Sequence, residues 1–256
     1  MLDLGLTFCA AVERDPHALA LIDGDQRLTY AAWFQRISAL LAGFDELGLV
    51  QGDRLVSLLQ NRWQAATLHW ACQFAGIVIT PINWRVKADE LDYCLQDAAA
   101  RALVYESVAA AAVAHSRRAR ALLRIVLDAG EAGVVAYGQL VERRAGDATP
   151  RGGPEHVSVM FYTSGTTGPP KGVPRRQRAE RAAALAHVAQ TLYCRGERTL
   201  GVMPLYHTMG VRSLLAMALV GGVFVCEPRF EALRALELIA TELTSHAAKR
   251  GWCTRS

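Results

Sequence analysis

The sequence predicts an α/β fold of doubly wound, largely parallel sheets with flanking helices. Three observations predict it. Short runs of β-branched and apolar residues alternate with longer amphipathic stretches, the pattern of repeated strand–helix units. The clearest pair of such runs, 53–59 and 77–81, is joined by a crossover long enough for parallel pairing. The composition, 52% hydrophobic and 20% charged over 256 residues, is that of a globular chain and too apolar for a disordered one.

Taken in order, the first turn signal is Asp23-Gly24-Asp25. Residues 30–47 then place Phe34, Ile37, Leu41, Phe44 and Leu47 at steps of three and four, one apolar helical face, with Thr29 as N-cap and Gly48 as stop. Residues 53–59 read as a buried strand, 63–76 as a helix and 77–81 as the next strand, a βαβ unit whose crossover is right-handed. A helix over 87–98, a strand over 101–105, an Ala-rich helix over 108–120 and a strand over 124–127 continue the alternation. The Gly-, Pro- and charge-rich stretch 143–155 reads as an exposed connection between a first α/β subdomain, 1–145, and a second part, 146–243. That second part holds a strand over 157–162, a glycine-rich loop, a helix over 178–193, a strand over 199–203, a helix over 211–220, a strand over 223–226 and a helix over 232–243. Residues 244–256 carry neither periodicity, and read as an aberrant tail of the kind a truncation or frameshift leaves.

Several function classes drop out. The apolar run Leu214–Cys226 is shorter than the roughly 20 residues a membrane helix needs and is broken by Gly221 and Gly222, so no membrane span is expected. Asp3 stands where a secretory signal carries basic residues, which points to a cytoplasmic setting. The cysteines, Cys9, Cys72, Cys94, Cys194, Cys226 and Cys253, form no CxxC pair, so zinc and redox motifs are absent, and the first five read as small buried apolar residues. A net charge of +4 comes from basic residues interleaved with acidic ones, not from a stripe, and no nucleic-acid partner is expected. Of 28 basic residues only Lys87, Lys171 and Lys249 are lysines, which makes the setting of each informative.

Lys171 stands in the most informative stretch, FYTSGTTGPPKGV at 161–173. Ser164, Thr166 and Thr167, the glycines Gly165 and Gly168, and Lys171 fall within eight residues, directly after a predicted strand. Glycine lets the backbone turn several N–H groups inward and approach a ligand, while hydroxyls and an ammonium add donors, so such a loop can hold phosphate oxygens. The same residue types also build ordinary surface turns. It is not a Walker A loop, which requires Gly before and Ser or Thr after the lysine, whereas Pro170 and Gly172 flank Lys171.

The full string YTSGTTGPPKG, 162–172, closely resembles the phosphate-loop signature of the adenylate-forming superfamily: acyl-CoA synthetases, luciferases and peptide-synthetase adenylation domains. Leu28-Thr29-Tyr30, GDRLV at 52–56, FAGIVITPIN at 74–83 and MPLYH at 203–207 are similar to further segments of that family, and the resemblance runs from about residue 10 to about 243. It implies a partial N-terminal AMP-binding domain of a two-step ligase. A carboxylate attacks the α-phosphate of Mg-ATP to give acyl-adenylate and pyrophosphate, and coenzyme A then takes the acyl group. On that resemblance Thr163, Ser164, Gly165, Thr166, Thr167, Gly168 and Lys171 contact the pyrophosphate side, Thr163 also touches Mg²⁺, and His207 lines the acyl pocket near the carboxylate as the catalytic candidate. The implied partners are a small-molecule carboxylic acid, ATP and CoA. Arg175, Arg176, Arg178 and Arg181 read as a solvated face.

The resemblance is incomplete. An aromatic-x-x-Thr-Glu segment, a ribose-binding Asp and the small C-terminal domain with its catalytic lysine have no counterpart, and Lys249 lies in the wrong context to replace that lysine. The alternative expectation is a non-catalytic remnant that at most binds nucleotide phosphate. An incomplete sheet is also expected to leave apolar edges and helix faces without partners.

Overall fold

The computed structural model describes residues 3–128, 133–163 and 169–243. It opens with helix α1 (Leu4–Arg14), hairpin strands β1 (Leu19–Asp23) and β2 (Gln26–Thr29), and helix α2 (Tyr30–Glu46). The Thr29 hydroxyl caps α2 by accepting from the Ala32 amide at 3.2 Å, as its place before the apolar face predicts. Then come β3 (Arg54–Leu58), α3 (Trp63–Ala75), β4 (Val78–Pro81), α4 (Ala88–Asp97), β5 (Ala102–Tyr105), α5 (Ala110–His115), β6 (Leu123–Val126), β7 (Val135–Ala136) and α6 (Tyr137–Val141). Helix α3 stops at Gly76, whose φ of +69° is the left-handed conformation glycine adopts freely. The last stretch is β8 (Val157–Thr163), β9 (Lys171–Arg176), α7 (Gln177–Thr191), β10 (Arg198–Gly201), α8 (Thr208–Val220), β11 (Val223–Cys226) and α9 (Ala232–Leu238), followed by a π-helical turn, Ile239–Leu243.

Two sheets result. One has seven strands in the order β7-β6-β5-β3-β4-β8-β9, the other four in the order β10-β11-β1-β2. Pairing is parallel except in β1–β2 and β8–β9, so the largely parallel α/β expectation holds. Strands from both sides of the 143–155 connection share each sheet. Successive strand residues point to opposite faces, and the core divides accordingly. Leu55 and Val104 of the larger sheet and Leu21 and Phe224 of the smaller one meet α1, α2, α3 and α8 in a single apolar cluster between the sheets. Their neighbours Val56 and Leu103 turn the other way and pack against Leu91 and Leu95 of α4. Ile22 and Val225 do the same on the smaller sheet, against Leu238 of α9. The layering is thus helix, sheet, helix, sheet, helix. Phe8 is the hub of the central layer, with ring centroids 4.8 Å from Trp70 and 5.2 Å from Trp33.

Some elements depart from the sequence expectation for identifiable reasons. The helix expected over 108–120 is broken at Ser116, because Asp92 accepts hydrogen bonds from the Ser116 hydroxyl and from the Arg117 and Arg118 amides. Side-chain acceptors of this kind compete with helix continuation. Strand β9 stands where only a loop was expected, since Pro174 and the charged residues around it hide an edge strand. The same Pro174, with Arg175 and Arg176, protects that edge. Helix α1 was not expected, although Leu4, Phe8 and Ala11 form its buried stripe and the Asp3 carboxylate accepts from the Leu6 amide at 2.8 Å. Cys194 is exposed rather than buried. On α9, Leu233 and Leu236 are 78% and 63% exposed, an apolar helix face without a partner among the described residues.

Candidate active site

Parallel strands release their loops at the carboxyl ends, and open α/β sheets bind ligands there. In the larger sheet β4 ends at Pro81 and β8 at Thr163. A cleft of about 390 Å³ lies over these ends, lined by Pro81, Asn83, Glu90, Tyr162, Thr163, Pro170, Tyr206 and His207. A second cleft of about 290 Å³ adjoins it through Tyr206 and is lined by Gln60, Trp84, Arg85, Glu227, Arg229 and Phe230. There the Arg85 guanidinium lies 3.7 Å from the centre of the Trp84 ring, a cation–π contact that fixes both at the rim.

One wall of the larger cleft is the β8–β9 hairpin. Thr163 pairs with Lys171 and Tyr162 with Gly172 across the antiparallel ladder, so Thr163 and Lys171 face each other at the two feet of the loop. Both are exposed. The residues between them that were expected to contact phosphate, Ser164, Gly165, Thr166, Thr167 and Gly168, lie outside the described residues. Tyr162 anchors the hairpin, its hydroxyl donating to Asp97 Oδ2 at 2.7 Å and reaching the Cys94 carbonyl at 3.2 Å. Burial first, then the Asp97 carboxylate, push its phenol above the usual range, so Tyr162 acts as a neutral post. Burial also pushes the nearby Cys94 thiol up to about 12, which leaves it unreactive at neutral pH.

The opposite wall is the segment between β10 and α8. His207 is the N-cap residue of α8, and its amide donates to the Pro204 carbonyl at 2.9 Å. Its ring lies 4.7 Å from that of Tyr206. The structure therefore brings Thr163 and His207 into one cleft, with Lys171 beside Thr163 and Pro170 on the lining. Sequence reasoning did not single out Glu90. It stands one helical turn before Cys94 on α4, so a three-four spacing aimed at the end of β4 is the only signal that could have found it.

The arginines after the loop have partners of their own. Arg175 pairs with the fully buried Glu180, Arg176 and Arg178 both reach Glu155 at 3.1 and 3.2 Å, and Arg181 donates to the Thr7 hydroxyl at 3.0 Å. Among the described residues no group of three or more His, Cys, Asp or Glu side chains is arranged to hold a metal ion.

A largely parallel α/β chain with a hydroxyl- and lysine-footed hairpin and a histidine wall over the strand ends is, as a class, an α/β domain with a ligand-sized cleft at the carboxyl ends of its strands. Comparison with known proteins narrows this. The chain belongs to the AMP-binding enzyme family, which matches residues 8–248. It is 31% identical over 231 residues to a feruloyl-CoA synthase of Amycolatopsis sp, covering 89% of this chain and 44% of that protein. It is 27% identical over 220 residues to the long-chain-fatty-acid–CoA ligase FadD13 of Mycobacterium tuberculosis, covering 85% and 43%. The chain thus spans less than half the length of these curated relatives. Among solved structures, the anthranilate CoA ligase AuaEII in complex with anthranoyl-AMP shares the fold at a TM-score of 0.87 and 21% identity, over 94% of this chain and 48% of that one. The N-terminal domain of FACL13 from Mycobacterium tuberculosis does so at a TM-score of 0.86 and 23% identity, over 94% and 61%.

Proposed function

We propose that this chain carries the polyphosphate-holding side of the active site of an ATP-dependent acid–thiol ligase of the acyl-CoA synthetase type. In this reaction a carboxylate attacks the α-phosphate of ATP, pyrophosphate leaves, and the thiol of coenzyme A displaces AMP from the acyl-adenylate. The observation that carries the reading is the pairing of Thr163 with Lys171 at the two feet of one hairpin loop, with Thr163 and Pro170 lining the cleft that His207 also lines. Charge accumulates on the β- and γ-phosphates as the bond to the α-phosphate breaks. Donors fixed beforehand at that spot lower the barrier, each by about 2.7–4 kcal/mol.

In this reading Thr163, Ser164, Gly165, Thr166, Thr167 and Gly168 supply hydroxyl and backbone donors, and the exposed Lys171 ammonium neutralises the leaving group. His207 orients the carboxylate. Mg²⁺ enters as part of the nucleotide substrate. The described lining offers it the Thr163 hydroxyl and a single carboxylate, Glu90, a donor set suited to an ion held chiefly by phosphate oxygens and water. The partners are then ATP, CoA and a small-molecule carboxylic acid, with no nucleic acid, in a cytoplasmic setting. No described helix is long and apolar enough to cross a membrane.

A second reading is that the chain binds nucleotide phosphate without turning it over, for which the exposed hydroxyl and ammonium of Thr163 and Lys171 at the hairpin feet are sufficient. Pyrophosphate exchange that depends on an added carboxylic acid tests both. Exchange supports the ligase, ATP binding without exchange supports the second reading, and the absence of both refutes each.

A further inference from the structure

The segment that carries Tyr206 and His207 to the cleft leaves β10 at Gly201 and forms no helix or strand before α8. Its backbone groups must therefore find partners elsewhere. Three of them find one side chain. Asn61 Nδ2 donates to the Gly201 carbonyl at 2.8 Å and to the Met203 carbonyl at 2.9 Å, and Asn61 Oδ1 accepts from the Leu205 amide at 2.7 Å. Both donors of the side-chain amide are used, and its oxygen is engaged. Asn61 is 4% exposed, so water is a poor substitute for these bonds. The Asn61 amide also donates to the Pro228 carbonyl at 3.4 Å.

Asn61 follows β3 of the seven-stranded sheet, whereas Gly201 ends β10 and Pro228 follows β11 of the four-stranded one. A single residue thus ties the carboxyl ends of the two sheets together where the cleft opens. Gly210, in the first turn of α8, closes on the same backbone, since a Cβ there would lie 2.6 Å from the Met203 carbonyl oxygen and 2.2 Å from that of Pro204. The segment is held between an amide side chain and a bare helix backbone.

We propose that Asn61 is a positioning residue, a clamp that sets where Tyr206 and His207 stand against the cleft. Its catalytic meaning rests on the adenylation reading above, and its geometry does not. Two substitutions separate a hydrogen-bonding clamp from a space-filler. Asn61→Asp keeps the shape and the acceptor for Leu205 but sets a buried oxygen against two carbonyl oxygens, and Asn61→Ala removes all three bonds. A clamp is hurt more by Asn61→Asp than by Asn61→Ala; a space-filler is hurt by Asn61→Ala alone.

The test is amide hydrogen exchange and histidine NMR on the full chain. In Asn61→Ala the Leu205 amide is expected to exchange about tenfold faster, whereas in Asn61→Asp, which keeps that acceptor and repels the Gly201 and Met203 carbonyls, the larger change is expected in the His207 ring; the amides of β3 keep their protection in both. The His207 ring resonances are expected to move in both variants and those of His17, His115 and His156 to stay, a pattern that general destabilisation does not produce. Asn61→Asp indistinguishable from the unmodified chain, or an unmoved His207, overturns the proposal. Should neither variant fold, the unmodified chain decides: Leu205 as protected as β3 supports the clamp, and Leu205 as fast as the amides of 229–230 overturns it. Titration of the unmodified chain with Mg-ATP isolates the other failure, because absent nucleotide binding refutes the adenylation reading and leaves the exchange pattern to judge Asn61.

Discussion

Of the cleft's two walls, the hairpin ending in Thr163 and Lys171 is built from neighbours in sequence, whereas the segment ending in Tyr206 and His207 is held by a side chain 140 to 144 positions away. The hairpin needs its ladder and the Tyr162–Asp97 anchor, and leaves Thr163 and Lys171 exposed. The His207 wall needs both sheets and α8 already in place. A wall of the first kind can change its chemistry with little effect on folding, while a wall of the second kind couples its geometry to the whole domain.

The largest expected effect separates chemistry from stability on the hairpin. Lys171→Ala should lower carboxylate-dependent pyrophosphate exchange by about 10²–10³-fold, equivalent to about 2.7–4 kcal/mol, and leave the thermal midpoint unchanged because Lys171 is exposed. A drop of several degrees would show that this wall is as coupled as the other.

Close behind comes a pH dependence from the domain that supports the His207 wall. His69, on α3 just beyond Asn61, is fully buried, and burial pushes its imidazole from 6.5 down to about 4. The native state therefore holds fewer protons than the unfolded state between those values. Stability from this residue is full above about pH 6.5, falls as the pH drops, and levels off below about 4, a loss of about 3 kcal/mol. Burial raises the carboxyls of Asp23, Glu106 and Glu180, which works in the opposite sense, so the His69 part is read as the difference between the unmodified chain and His69→Leu in denaturant titrations across that range. Parallel curves for the two would remove His69 as the cause.

On the His207 wall itself, Gly210→Ala should cost about 1–3 kcal/mol, because its Cβ meets carbonyl oxygens that Asn61 and the Pro204–His207 turn hold in place. Urea unfolding checks this, and a neutral result would mean that the segment can retreat. The smallest effect belongs to the hairpin again. Val173→Ala on β9, where the side chain is 43% exposed, should shift stability by less than about 0.5 kcal/mol in the same assay.

The contrast between the walls also explains what could be read from the chain. The βαβ units, the Thr29 cap and the stop at Gly48 follow from local periodicity and backbone preference, and the structure shows each of them. The hairpin loop was legible because its hydroxyls, glycines and lysine are contiguous. Strand β9 was not, since Pro174 and three basic residues in six are what an edge strand and a loop have in common. Asn61 and Glu90 were missed for a different reason: each meets residues distant in sequence, and no spacing rule relates position 61 to 203 or 90 to 163, while Gly210 closes on the nearby Met203 and Pro204 carbonyls only once the segment has its folded path. The division of the strands into two interleaved sheets has the same origin, because pairing between β1 and β11 is settled by the shared cluster around Phe8 and Phe224 rather than by anything local.

The most direct measurement is a calorimetric titration of Mg-ATP into the unmodified chain and into Lys171→Ala. The unmodified chain should bind, and the variant should bind about tenfold or more weakly, the loss expected when a charge-assisted contact to phosphate is removed. Equal affinity in the two proteins, or no binding by the unmodified chain, would contradict the assignment of the 163–171 loop to the polyphosphate.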